Sequence, residues 1–573
     1  MDLVLTSGTW PREVTGEAVF SSPEPVPGVP YALFGPGRLC RLSLQPGTHG
    51  APEGRFAWRS QRVDSPSARL FGAAPESFSA GPTGFTSPFG VPNQANTAPL
   101  PWGDRLFATW DVGRPAEVDP ATLGFLGEVG HRDSWGDPAL PMGGVLPFLL
   151  SSAHPVVDPE RDCMWSVKLV IDMASGTQGV EVVHWDGTGT TVSRWPVRDA
   201  KVRGGAHCVT QSRDFLVLAD SGNFIPDLGE MAGGERTAVI DTSTPVWVIR
   251  KDQLLSTPPG DTVEAVASTA APSTGHMYAR WDDGEGIQVL FEHMDLVDLG
   301  YRIEAGDLDS RGEPVDPALV GFYNMAMAPN TVSEMLIDPG TGRAETLGRL
   351  SEDWTHNLQL SAMDWSTEGL SAPTLHHVAV QGFRAGAVTR RAMQAYSDRL
   401  GGLPPEDTPG VLASLRRGDL GVASSYTYPN TGEQITSPVF VPRDPAAHHD
   451  PAGQPGDGHG GDTTRRSAYG GTDPGGHDGF VVVPVLSDEG MRVDLFDASC
   501  VGSGPVATLC TPAGECVPAL LHSAWMPRAP RADSSLERLR FADEIDGHVE
   551  ALPDELARMV HAVADQLADP SGG

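Results

Sequence analysis

The sequence predicts an all-β chain, built as a propeller or a very large closed barrel. Two observations carry this reading. Gly (67) and Pro (51) are spread along all 573 residues rather than pooled in one linker, and turn formers at that density cut a chain into short segments. Between them lie short Val/Leu/Phe-rich runs, and strand follows strand with no sustained helical spacing before residue 535. No crisp repeat appears at blade length, so the propeller is not read from periodicity.

The strands read in chain order are YALFGPGRLCRLSL (31–44), GDRLFATWDVG (103–113), MWSVKLVID (164–172), DFLVLAD (214–220), TPVWVIRK (244–251), GIQVLFEHMDLVDL (286–299), GFVVVPVL (479–486) and MRVDLFD (491–497). Each is bounded by turn signals such as GPG, DGTGT, SGN, DDGEG, DPGTG and DEG. The acidic run DDGE at 282–285 belongs to one of these turns. Residues 443–478 form a Gly/Asp/Pro/His-rich tract with His448, His449, His459 and His477. Such a tract reads as a solvated loop, with loose metal binding as the livelier alternative. Over 535–568 the spacing turns helical, and Leu552, Leu556, Met559, Val560, Val563 and Leu567 form one apolar stripe. That stripe suits a helix packed on the fold, or a dimerisation helix.

The charge balance narrows the partners. With 40 basic against 74 acidic residues, net −34, the chain is repelled by nucleic-acid phosphates and anionic lipid surfaces. It favours a small-molecule substrate and at most weak membrane contact. No run of about 18 apolar residues suits a membrane span, and MDLVLTSGTWPREV lacks the basic and apolar regions of a signal peptide. The six cysteines form no CxxC pair, which fits reduced thiols and a cytoplasmic location. Oligomeric state is not legible.

One histidine raises a question. His522 lies in VPALLHSAWMP, a run that otherwise looks buried. On its own it is either a hydrogen-bonded core residue or a metal ligand. Three others look like it: His154 in SSAHPVVDPERD, His207 in GGAHCVTQSRDFLVLAD and His276 in STGHMYARWDDGEG, each close to a strand-like run. Residues so far apart in sequence can meet only where strands from distant parts of the chain point to one axis, as at a propeller centre.

These segments resemble the carotenoid cleavage oxygenase family, which includes the retinoid isomerohydrolase of the eye and the lignostilbene dioxygenases. AHPVVDPE resembles the family's AHP-x-x-D-P segment, and HCVTQSRDFLVL its H-D-F-x-x-T-x-x-Y-x-V segment, with Ser212 where Thr is usual. HMYARWDDG resembles H-x-x-N-x-Y-E-D-G, with Ala279 in place of Asn, and VPALLHSAW resembles V-P-x-x-x-H-G-x-W. QANTAPLPWGDRLFATWDVGRPAEVDPATLGFLG, HDGFVVVPVL and MRVDLFDASCVGSGPVATL match further family segments in the right order, so the likeness runs from about 30 to 527.

The resemblance implies a seven-bladed β-propeller over residues 1–530, with a helical and loop cap, followed by a helical extension over 531–573. It implies Fe(2+) on the axis, held by His154, His207, His276 and His522, which are also the catalytic residues. It implies a substrate of the apolar, conjugated kind, an apocarotenoid or terpenoid, whose C=C bond is cleaved by O2 to two carbonyl products. In the family, three glutamates accept hydrogen bonds from iron-bound imidazoles. Here the matching positions are Asp111, Gln359 and Ser437, so the site is expected to carry up to two fewer negative charges. That departure leaves open a Lewis-acid isomerase or cyclase that incorporates no O2, or a metal-free scaffold. The stilbene-cleaving branch uses a Lys near the first carboxylate. Here Trp110 precedes Asp111 and no Lys precedes Lys168, which argues against 4-hydroxystilbenes. Trp110 is expected to line the substrate tunnel or to pack in the core. His184, His293, His376 and His377 match no family role and read as structural.

Overall fold

The computed structural model describes the chain except residues 27–32, 34, 47–53, 82–83, 137–143, 173–176, 222–226, 232–233, 325, 358, 363–373, 444–477 and 569–573. The His-rich tract therefore lies outside the described residues, apart from Arg443 and Asp478.

The chain is all-β and propeller-like. Five separate four-stranded antiparallel sheets follow one another, each with its strands in sequence order. Their first strands are Ala98–Trp102, Val156–Asp158, Val209–Gln211, Thr274–Ala279 and Gln359–Ser361. The two ends of the chain share one ten-stranded sheet, in which Asp2–Gly8 pairs with both Ala507–Cys510 and Arg55–Arg62. Five blades and a ten-stranded sheet thus stand where seven blades were expected. All eight runs read as strands in the sequence contain one; DFLVLAD, for instance, holds Phe215–Ala219.

The blades pack face to face, and period-2 alternation explains how. In Phe215–Ala219, Leu216 and Leu218 join Trp165, Val167 and Val182 of the preceding blade. Phe215, Val217 and Ala219 join Ile287, Val289 and Phe291 of the next. A strand buried on both faces reads as a continuous apolar run, which is why FLVLA was legible.

The long connections gather at one end. Those after Phe215–Ala219, Ile287–His293 and Leu375–Val380 leave the same end of the propeller at which the first strands begin. Ile240, Leu296, Tyr301, Met327, Phe383 and Tyr396 from these three insertions form one apolar cluster. Buried Asp298 ties it, accepting from Tyr396 Oη at 2.7 Å and from Arg236 Nη2 at 3.3 Å.

The helix expected over 535–568 is shorter, Asp554–Ala568. Gly547 takes φ +80°, and Pro553 disfavours helix in the residue before it, so the spacing upstream is used in turns. Val560, Val563 and Leu567 of the stripe pack, with Phe541 and Ile545, on Leu70 and Phe71 of the helix Pro66–Ala73. The tail is also bolted by charge to the blade that starts at Ala98. Arg538 pairs with Glu117 through two contacts at 3.0 Å. Glu544 accepts from Arg114 at 2.6 and 3.0 Å and from the Arg132 amide at 2.7 Å. Arg114 and Glu544 side chains are 4% and 5% exposed, and Arg114 also pairs with Glu128, so deleting Glu544 removes one of the two carboxylates that balance a buried charge. Glu544→Ala is expected to cost about 3 kcal/mol, read as a lower urea midpoint at unchanged slope; a loss below about 1 kcal/mol would mean the tail is held by its apolar face alone.

Candidate metal centre

Four histidines meet because each stands at or near the start of a strand that opens or edges its sheet. His154 and His207 directly precede Pro155–Val156 and Cys208–Val209, His276 lies in Thr274–Ala279, and His522 precedes Ser523–Met526. Backbone bonds lock them together. The His154 amide donates to the His207 carbonyl at 3.2 Å. The His522 amide donates to Ser21 Oγ at 3.2 Å, and the Ser21 amide returns a bond to the His522 carbonyl at 2.9 Å. Their ligand atoms all lie within 4.8 Å of one another. The His154 ring centroid is 4.5 Å from that of His522, 4.7 Å from His207 and 5.1 Å from His276.

Two of the rings are held by carboxylates. His207 Nδ1 is 2.7 Å from Asp111 Oδ1. Asp111 sits on the loop between Arg105–Thr109 and Ala116–Val118, where Ser151 pins it: the Ser151 amide donates to the Asp111 carbonyl at 2.8 Å. His276 Nδ1 is 2.9 Å from Glu292 Oε2, and Ser361 Oγ donates to Glu292 Oε1 at 2.7 Å. His207 Nε2 and His276 Nε2 face each other at 3.3 Å.

The other expected partners are placed differently. Ser437 is not an acceptor for an imidazole: its hydroxyl pairs with Ser523 Oγ at 3.1 Å. Ser523 spends its own proton on the Pro438 carbonyl at 2.8 Å, so Ser437 is the donor. The backbone of Gln359 pairs with Val380, but its side chain lies outside the described residues. Among the described residues His522 has no carboxylate partner. Trp110 is buried in a small cluster with Val91 and Val112, against Phe148 and Leu150. His184 sits 4.5 Å from the Trp165 ring, and His293 bonds the Pro272 carbonyl at 3.0 Å.

Glu292 was missed, although its position was computable. The turn WDDGEG centres the hairpin near residue 284, and in that register His276 faces Glu292, Met277 faces Phe291 and Ala279 faces Val289. A bulge between Thr274 and His276 sets this pairing off from that of Thr274 with His293; such bulges re-aim side chains.

Burial shapes the electrostatics. It pushes His276 down to about 3, helped by the neighbouring His207, and holds His154 and His522 well below the usual imidazole range. It pushes Glu292 up to about 8 against the lowering by Ser361. His154, His276 and His522 are therefore neutral at physiological pH, as ligands must be. His154 Nε2 is buried with no hydrogen-bond partner, a costly state unless something else uses its lone pair. A 4.8 Å spread is close to the span, about 4.2 Å, of two imidazoles on opposite sides of one ion at about 2.1 Å. The donor set fits a first-row divalent cation such as Fe(II).

A cation needs the Nε2 lone pair of His276, so the proton shared between Glu292 and His276 must leave. Since Glu292 lies at about 8, that proton is bound at pH 7. Binding of Co(II) should release about one proton at pH 7.0 and less above pH 8.5, with affinity rising as pH rises towards 8. Calorimetry in buffers of different ionisation enthalpy measures this; proton release that does not fall between those pH values would assign the proton elsewhere.

Comparison with known proteins agrees with this architecture. Residues 2–527 match the family described as retinal pigment epithelial membrane protein (RPE65). No curated protein sequence matches. Among solved structures, the lignostilbene dioxygenase of Pseudomonas brassicacearum is similar with a TM-score of 0.56 at 15% identity, over 92% of this chain and 95% of that one. A point variant of the Synechocystis apocarotenoid oxygenase gives 0.54 at 15% identity over 92% and 95%. Its cobalt-substituted form gives 0.52 at 15% identity over 92% and 96%.

Proposed function

The chain belongs to the retinal pigment epithelial membrane protein (RPE65) family, and from that premise we propose that it is a non-heme iron oxygenase. It cleaves a C=C bond of an apolar conjugated substrate, an apocarotenoid or terpenoid, with O2 to give two carbonyl products. The observation that supports this most directly is the convergence of His154, His207, His276 and His522 within 4.8 Å on the axis. We take the ten-stranded sheet as two blades joined through Asp2–Gly8, which with the five separate ones makes seven.

These four imidazoles would hold Fe(II), which when bound supplies O2 activation and Lewis acidity. The chain's own residues set the conditions. Neutral nitrogens leave the charge of the ion uncancelled at the first contact, so positions remain open. Asp111 fixes the ring plane and tautomer of His207. Trp110, with Val91, Val112, Phe148 and Leu150, walls the Asp111 side with apolar surface that excludes water and suits a polyene. The insertion cluster around Phe383 and Tyr396 closes the same end. No described helix is long and apolar enough to cross a membrane.

The alternative, a Lewis-acid isomerase or cyclase, drew its force from the expected loss of two carboxylates. Glu292 restores one of them, which favours the oxygenase. Under 18O2 the iron-loaded protein should place label in a carbonyl product of an apocarotenoid substrate, detected by mass spectrometry. His522→Ala should lose specific iron and at least about 100-fold in rate. Turnover of the same substrate to an unlabelled isomer would instead establish the Lewis-acid reading.

A further inference from the structure

One carboxylate of this site reaches its histidine by an unexpected route. The positions at which the resemblance placed the partners of two ligands, Gln359 and Ser437, offer no carboxylate. Glu292 does, from the second strand of the blade whose first strand bears His276. The two residues are directly opposed in the antiparallel ladder, so their side chains emerge on one face about 5 Å apart at Cβ. The Glu292 side chain is 1% exposed and that of His276 6%. A carboxylate this dry is costly unless both oxygens are used. Both are: Oε2 meets His276 Nδ1 at 2.9 Å, and Oε1 accepts from Ser361 Oγ at 2.7 Å. Ser361 lies on the first strand of the next blade, two residues beyond Gln359 and on the same strand face.

We propose that Glu292 is the positioning residue of His276, latched by Ser361, and that this pair replaces across the blade boundary a carboxylate absent from the next blade. The inference rests on the metal-centre reading above. It follows from geometry: one oxygen sets the ring plane of His276, and the other is tied to the neighbouring blade so that the carboxylate cannot rotate away. It also sets the charge of the centre. Four neutral imidazoles leave a divalent ion with both its charges, whereas Asp111 and Glu292 together balance them. Ser361, with its short side chain, leaves room for Glu292 to cross.

Co(II) titration followed by visible absorption tests this on the full chain, with no turnover involved. Wild type should bind one Co(II). Glu292→Gln should weaken binding about 10- to 100-fold and shift the d–d bands. Ser361→Ala removes only a hydroxyl, and should weaken binding several-fold while leaving the thermal midpoint nearly unchanged. The exchange Glu292→Ser with Ser361→Glu should regain at least about tenfold of the affinity lost in Glu292→Ser, which a packing role could not produce. Affinity and spectrum unchanged in both Glu292→Gln and Ser361→Ala would overturn the proposal while the metal centre stands. A wild type that binds no Co(II) would overturn the metal centre, and this inference with it.

Discussion

Closure of the ring is the constraint on which the site depends. His154, His207 and His276 come from consecutive blades, but His522 is delivered by Ser523–Met526, a strand that pairs with Gly16–Pro23 at the other end of the chain. The N-terminal strand completes the join by pairing with Ala507–Cys510 and Arg55–Arg62. A histidine cluster split between residues 154 and 522 therefore assembles only when the two ends of the chain have met. The mutual bonds of Ser21 and His522 lie at that seam, so fold closure and site assembly are one event, with its cost in long-range loop entropy.

Closure brings four imidazoles together, His276 buried and the other three partly so. Desolvation holds His154, His276 and His522 below the usual imidazole range, and neutral rings can stand close. The same dryness makes every unmatched group costly, so the architecture answers each in turn. Asp111 takes His207 and is itself pinned by Ser151; Glu292 takes His276 and is itself tied by Ser361. Among the described residues His154 Nε2 remains unmatched, which leaves its lone pair free for a cation.

How much of this was legible follows from what each feature depends on. Strands such as Phe215–Ala219 announced themselves because a strand packed on both faces is apolar throughout. The four histidines were legible through the segments around them. Asp111, the partner of His207, was legible in the same way, but the partner of His276 was not, because it depends on register rather than on local sequence. Ser437 falls beside Ser523, one residue from His522, and spends its hydroxyl on that serine. Glu292 emerges only when the hairpin is folded about its turn and the bulge at Thr274 is allowed for. Blade count was hidden for a related reason: one strand, Asp2–Gly8, bonds to both halves of a sheet made from the chain's two ends. The tail looked like one long helix because apolar spacing does not reveal that Pro553 and Gly547 break it.

The tail connects to the chemistry through a short path. Arg114, clamped between Glu128 and Glu544, is three residues from Asp111 on the same loop. Asn93 Nδ2 donates to the Arg114 carbonyl at 2.7 Å, and Ser151 holds the loop's other side. The family match ends at residue 527, so Glu544 lies outside the matched region. The loop that carries Asp111 to its 2.7 Å contact with His207 is thus braced on both sides, and the buried ion pair of the tail is one of the braces: the C-terminal segment supports the loop from which that imidazole is held.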